Sequence, residues 1–288
     1  MEINSTLVGL QLKPLNKVIS KRFTTNYAAT INDLKPIYFD DVNCEQLAAH
    51  PVFPVSLSWE ISANLDEFTD YPISKEIIHR LVHQTEHMEI SRLLMSGEEV
   101  CIKGEIVAVL PHNMGTRIVI RYDYFDNENK LVIREFTGGL AFGVTCEDEG
   151  KGKENIPVME KLENAKPIWS VEIPIDRGLP YIYDGCANIV SPIHTSPQFA
   201  KSLGLPDIIL HGTATLAIAI RELTNHFKID PMDTKTIAVR FTDMVIPGEN
   251  ITLEVLRKNE ENDALAINFQ VLNGKGKAAI SSGYLGVK

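Results

Sequence analysis

The residue types best suited to chemistry gather between Tyr183 and Gly212, in the run YDGCANIVSPIHTSPQFAKSLGLPDIILHG. His194 ends a Ser191-Pro192-Ile193-His194 turn. Pro192 fixes one backbone angle and offers no N–H, so the imidazole sits on a stiff support. An imidazole can take or give a proton near neutral pH. His211-Gly212 closes the run at the threshold of an apolar stretch. If that stretch is a helix, its first N–H groups are free and carry partial positive charge, able to polarise a carbonyl oxygen. A glycine there lets a ligand oxygen approach the backbone closely. Asp184 is the nearest upstream carboxylate to His194, and Asn188 could orient a water without exchanging its proton.

These groups need elements to hold them. Thr195-Ser196-Pro197 starts a short helix that Gly204 stops after Leu203. Leu205-Pro206-Asp207 turns the chain into Ile208-Ile209-Leu210. From Gly212 to Leu223 the chain is apolar nearly all round, which predicts a helix buried on most sides. Its small residues Ala214, Ala217 and Ala219 would let a sheet close around it, and Glu222 and Asn225 mark its solvent end. Strand-like segments follow on either side of Pro247-Gly248-Glu249.

The same order occurs earlier in the chain. Ala49-His50-Pro51 parallels Leu210-His211-Gly212, Ser96-Gly97-Glu98 parallels Pro247-Gly248-Glu249, and Phe125-Asp126-Asn127 parallels Leu272-Asn273-Gly274. Ordered matches of this kind indicate a duplication. Each half is expected to be one buried helix followed by a meander of antiparallel strands, with a strand, a Gly-Glu turn and a strand at its centre: an α+β unit. The expected division is residues 1–145, a linker at 146–166, and residues 167–288. The linker is rich in Glu, Lys and Asn and is expected to be exposed and mobile.

Pro192-Ile193-His194, Pro197, Ala200, Gly204-Leu205, Ile208 and His211-Gly212 together resemble the hydratase-2 motif of the MaoC-like (R)-specific enoyl-CoA hydratases. The resemblance covers the second half directly and the first through the internal repeat. It implies a double hot-dog, two antiparallel sheets each wrapped around a central helix, and addition or removal of water across the 2-enoyl double bond of an acyl-CoA or acyl-carrier thioester. It further implies His194 as acid/base and the Gly212 N–H as the donor to the developing enolate oxygen. His211 is expected to hold the loop. At the place of the family's Asp this chain has Ile189, which transfers no protons, and the family's Asn is Ser191. Asp184 is the expected substitute. His50 takes the place of His211 in the first half, which has no SPIH-like segment and is expected to be non-catalytic and to house the acyl chain. No cofactor is implied beyond the coenzyme A carried by the substrate. A silent acyl-CoA binding protein, motivated by Ile189, and a hot-dog thioesterase are the competing readings.

Composition narrows the field further. Lys and Arg total 28 against 38 Asp and Glu, a net charge of −10, which disfavours a phosphate-backbone binder. The most apolar stretch, Ile208 to Ile220, is too short to cross a bilayer, and the N-terminus does not read as a signal peptide. Four widely spaced cysteines without a CxxC pair argue against zinc ribbons and fit a reducing cytoplasm. His79, His83 and His87 recur at a metal-like spacing, but on a strand they would be spread too far for one ion. An anionic CoA would need a local basic rim, for which Lys201, Lys235, Arg240, Arg257, Lys275 and Lys277 are candidates. A homodimer through sheet edges or helix faces is possible, and no nucleic acid or membrane partner is expected.

Overall fold

A computed structural model describes residues 1–162, 165–261 and 264–288. The first half runs through β1 (Glu2–Ile3), β2 (Leu15–Val18), α1 (Lys21–Thr30), α2 (Pro54–Ala63) and α3 (Lys75–Ile78). Long strands β3 (Leu81–Ile90), β4 (Glu99–His112), β5 (Gly115–Phe125) and β6 (Leu131–Phe142) follow, then the short β7 (Thr145–Cys146). The second half runs through β8 (Trp169–Pro174), α4 (Leu179–Ala187), α5 (Pro192–Thr195), α6 (Pro197–Ser202) and α7 (Gly212–His226). It ends with β9 (Thr234–Phe241), β10 (Asn250–Glu261), β11 (Ala264–Leu272) and β12 (Ala278–Val287).

Ten strands form one sheet in the order β2-β4-β5-β6-β3-β9-β12-β11-β10-β8. Read outward from the centre, the two sides are β3-β6-β5-β4-β2 and β9-β12-β11-β10-β8, so the duplication is written into the topology. The halves join where β3 and β9 pair antiparallel, with Glu86 opposite Val239 and Thr85 opposite Arg240. Each half lays its central helix, α2 or α7, on the inner face. The fold is the expected double hot-dog. In α7 nearly every residue from Thr213 to Ile220 is buried, with Ala214, Ala217 and Ala219 fully enclosed. Small side chains there let the helix approach the sheet, and the burial of Leu216, Ile218, Ile220 and Leu223 stabilises it by roughly 1.5–3 kcal/mol per side chain.

Three expectations need correction. The Gly-Glu turns exist, with Gly97 at φ +89° and Gly248 at φ +93°, a backbone state that glycine adopts without strain. They do not close hairpins, however, because β3 and β4 are separated in the sheet by β6 and β5, and β9 and β10 by β12 and β11. The Ser91–Gly97 segment instead crosses the end of the sheet. The Leu94 carbonyl accepts from the Ala49 N–H, the Ser96 N–H donates to the Leu47 carbonyl, and the Gly97 N–H donates to the Ile19 carbonyl.

The segment at 146–166 is largely exposed, but it is tied down rather than loose. Asp148 accepts from Ser5 Oγ at 2.6 Å, Lys151 and Val109 exchange backbone hydrogen bonds, and Asn155 donates to the Val107 carbonyl at 3.1 Å. Ile156 packs against Val107, Ala108 and Val119. Those partners lie far away in sequence, where composition alone does not reach. Residues 163–164 of this segment lie outside the described residues.

The histidine run is also split. His79 caps α3, while His83 and His87 lie on β3. A bulge between His83 and Thr85 turns His83 to the side of Glu86, whereas His87 packs on Phe136. Among the described residues, no three His, Cys, Asp or Glu side chains gather as a metal site. All four cysteines are free, and no helix of the described residues is long and apolar enough to cross a membrane.

Candidate active site

The loop that carries His194 is built by backbone chemistry. α4 ends at Asn188, whose left-handed φ of +55° reverses the chain, a state that asparagine tolerates better than most residues. The chain returns through Ile189, which is buried, and the Ser191 N–H donates to Asp184 Oδ1 at 3.2 Å, tying the loop back onto α4. Pro192 opens α5, and Ser196 caps α6 by accepting from the Phe199 N–H. His194 therefore stands on a short turn between two tethered points.

Two imidazoles stack at this place. The rings of His194 and His211 lie 3.6 Å apart between centroids and 25° from parallel. His194 Nδ1 is 2.8 Å from the Ile209 carbonyl, and His211 Nε2 is 3.0 Å from the Ile189 carbonyl. A carbonyl only accepts, so those nitrogens carry the protons. His194 is thereby left with a lone pair on Nε2, and His211 with one on Nδ1. His211 Nδ1 is buried and has no hydrogen-bond partner.

Burial pushes His194 down to about 4 despite the Ile209 carbonyl, which acts the other way. Burial, and then its neighbour His194, push His211 down to about 2. Both rings are neutral at pH 7, and His194 offers a base rather than an acid. Asp184 Oδ1 lies 3.7 Å from His211 Nε2, and its pKa is raised, chiefly by burial.

Gly212 is the first residue of α7 and follows His211, the N-cap. The ring of Phe241 lies so close that a Cβ on Gly212 would stand 2.8 Å from Cδ1. Glycine is thus required by packing, and its N–H is one of the free donors at the head of the helix. His194, His211, Gly212 and Asp184 are brought together, with Asp184 meeting His211 and the loop backbone rather than His194. Asn188 is exposed and serves as the helix terminator.

In the first half, His50 is buried, accepts from the Val52 N–H, and lies 3.7 Å from Asp33, repeating the His211–Asp184 spacing. Burial pushes it down to about 3. Of the candidate CoA-binding cations, Arg257 is paired with Glu160, while Lys201 on α6 and Lys275 are exposed. A groove of about 430 Å³ near Lys35, Asn225 and Lys228 opens at the other end of α7, away from Gly212.

Reading the sequence did not select Phe241, whose ring lies against Gly212.

Two family models match parts of the chain. A model of the MaoC like domain matches residues 182–276, which span α4 to the turn after β11 and include both stacked imidazoles and Gly212. Those residues are similar to a MaoC-like domain. A second model, the FAS1-like dehydratase domain region, matches residues 6–135. A peroxisomal multifunctional enzyme type 2 from Drosophila melanogaster is 26% identical over 275 residues, covering 92% of this chain. The chain spans only 44% of that relative's length. A peroxisomal enoyl-CoA hydratase 2 from Arabidopsis thaliana is 26% identical over 250 residues, 82% of this chain and 78% of the relative. A crystal structure of a MaoC-like dehydratase from Phytophthora capsici superposes with a TM-score of 0.82 at 21% identity, covering 99% of this chain and 98% of that one. At that identity the likeness speaks for the fold. The MaoC-like half thus carries the stacked histidines on the expected frame, and Ile189 remains its departure from the motif.

Proposed function

We propose that this protein adds or removes water across the 2-enoyl double bond of an acyl thioester, with (R) stereochemistry at the hydroxyl carbon, as the resemblance to the hydratase-2 family implies. One observation carries the reading: a neutral imidazole with a free lone pair, His194, stands beside the head of a buried helix begun by Gly212, inside a MaoC-like domain. The thioester oxygen would accept from the Gly212 N–H. Enolate charge that develops there is stabilised by a donor already in place and by the helix end. His194 Nε2 would hold the water, and His211 would fix the loop through the Ile189 carbonyl. The names of the fly and plant relatives support a CoA-linked substrate. Both hydrogens and the oxygen come from water, so the reaction needs no resident cofactor.

Ile189 favours one second reading, a protein that binds acyl-CoA without converting it. A single assay separates the two. Mixed with short- and long-chain 2-enoyl-CoA, the protein should bleach the conjugated enoyl absorbance without releasing free thiol. Binding with no change in absorbance supports the silent module, and thiol release supports hydrolysis. We further propose a cytoplasmic homodimer, the compartment resting on four free cysteines. Fractionation and sedimentation test those two points.

A further inference from the structure

We propose that His83, held by Glu86 and contributed by the N-terminal half, is the proton carrier of the site, in the role left open by Ile189, while His194 holds the water. The inference rests on the hydratase reading above. The first support is position. β3 and β9 pair at the centre of the sheet, and the bulge at His83 turns its ring onto Phe241, with centroids 4.8 Å apart and planes at 65°. Phe241 also lies against Gly212, at the head of α7. One aromatic ring therefore touches both the helix-end glycine and an imidazole from the other half of the molecule.

The second support is orientation. His83 Nε2 lies 3.0 Å from Glu86 Oε2 and 3.1 Å from the Thr85 carbonyl. Since the carbonyl can only accept, Nε2 carries the proton, and the lone pair is on Nδ1. Among the described residues Nδ1 has no hydrogen-bond partner, and the side chain is 18% exposed. Glu86 is itself fixed by Thr137 Oγ1 at 3.2 Å, and Glu135 behind it by Ser58 at 2.6 Å and by Tyr124. Burial raises the Glu86 carboxyl well above the usual carboxylate range, so its oxygen acts on His83 by accepting from Nε2 and fixing the ring, a base held by an oriented third group. Burial brings His83 down to about 4, so like His194 it is a neutral base at pH 7.

The chemistry balances on one water. Its two O–H bonds point to His194 Nε2 and His83 Nδ1, and its oxygen forms the new bond to Cβ. As that bond forms, one O–H proton passes to His83, and the double-bond pair becomes an enolate whose oxygen accepts from the Gly212 N–H. The His83 imidazolium then returns that proton to Cα, where the enolate pair makes the C–H bond. One H and one OH have been added, and both imidazoles are back in their starting forms. Dehydration is the reverse.

The test compares the full-length parent with His83→Gln on 2-enoyl-CoA, with circular dichroism and thermal melting alongside. His83→Asn replaces the glutamine variant should that one not fold. The expected result is a kcat at least about a hundredfold lower, with KM within a few-fold and melting unchanged. A kcat near that of the parent, or a change confined to KM, overturns the role of His83 while leaving the hydratase reading standing. A parent that binds enoyl-CoA but never hydrates it overturns both.

Discussion

Gly212→Ala puts the geometry of the helix head to a direct test. Two effects oppose each other. Replacing glycine by alanine in a helix is worth up to about 1 kcal/mol of stability from chain entropy and propensity. Against this, the new methyl would lie 2.8 Å from Phe241 Cδ1, 3.1 Å from Cε1 and 3.2 Å from Cγ. With three ring atoms overlapped, spinning the ring does not clear the methyl. The ring must shift bodily, and His83 stands against it. Overpacking of this kind costs roughly 1–3 kcal/mol, so the clash wins. The net loss is about 1–2 kcal/mol, or about 2–8 °C in Tm at this size. Moving the ring or the helix head also misaims the N–H, for which the loss of an oxyanion donor, about 10²–10³ in kcat, sets the upper scale. Thermal melting and the enoyl absorbance assay read the two effects separately. Phe241→Leu in the same background should recover much of the stability, with a coupling above about 0.5 kcal/mol. An alanine variant as stable and as fast as the parent would refute both the ring contact and the oxyanion role.

His194→Ala should lower kcat by at least about a hundredfold, because of the two imidazoles stacked beside Gly212 it removes the one whose lone pair is not buried, while the circular dichroism spectrum is kept; steady-state kinetics decide it. Asp184→Asn should cost no more than about tenfold, since an amide oxygen can still accept from the Ser191 N–H; a loss beyond a hundredfold would make Asp184 a proton carrier after all. Stability should depend on pH with a definite sign. His194 and His83 are held near 4 in the fold against 6.5 unfolded, so the unfolded chain binds more protons between those values, and stability falls as pH drops through that window. Glu135, pushed up to about 8 by burial and by Glu86, keeps its proton where the unfolded carboxyl loses it near 4.5, so its stabilisation fades as pH rises toward 8. From pH 6.5 to 8 the histidine contribution is flat. Urea midpoints should decline there, at up to about 1.4 kcal/mol per pH unit for each retained proton; Glu86, also raised by burial, adds to the decline, so Glu135→Gln should lessen it.

The sequence carried the site's local part well and its long-range part poorly. Pro192, Gly204 and the apolar run after Gly212 each act within a few residues, through backbone restriction or helical periodicity, so the loop, α6 and α7 could be read in order. The repeat was legible because duplicated turn chemistry recurs at Gly97 and Gly248. Strand order was not, because nothing in Ser91–Gly97 marks it as a crossing rather than a hairpin; its partners Ile19, Leu47 and Ala49 are distant in the chain. Asp184 lies beside the stacked rings, yet its neighbour is His211, since the reversal at Asn188 sets which ring it meets. His83 was noticed only for its spacing. The bulge that turns it, and the Phe241 contact that gives it meaning, arise from pairing between the two halves.

That pairing explains why a duplicated fold would keep a half without its own SPIH turn. The head of α7 supplies the N–H donor, and the loop after α4 supplies one base; both are local to the second half. A wall from the other half has to come from the strand of that half that lies beside β9, and in this sheet that strand is β3. The first half is thus free to lose an SPIH turn beside His50 while its inner face gains Glu86, Glu135, Ser58 and Tyr124, polar groups that a hydrocarbon-filled half would not bury. Burying two carboxyl groups is costly; these two share the Thr137 hydroxyl between them, while Glu86 Oε1 is buried without a hydrogen-bond partner, a cost that a role in holding a side chain of the site would account for. On this structure that side chain is His83.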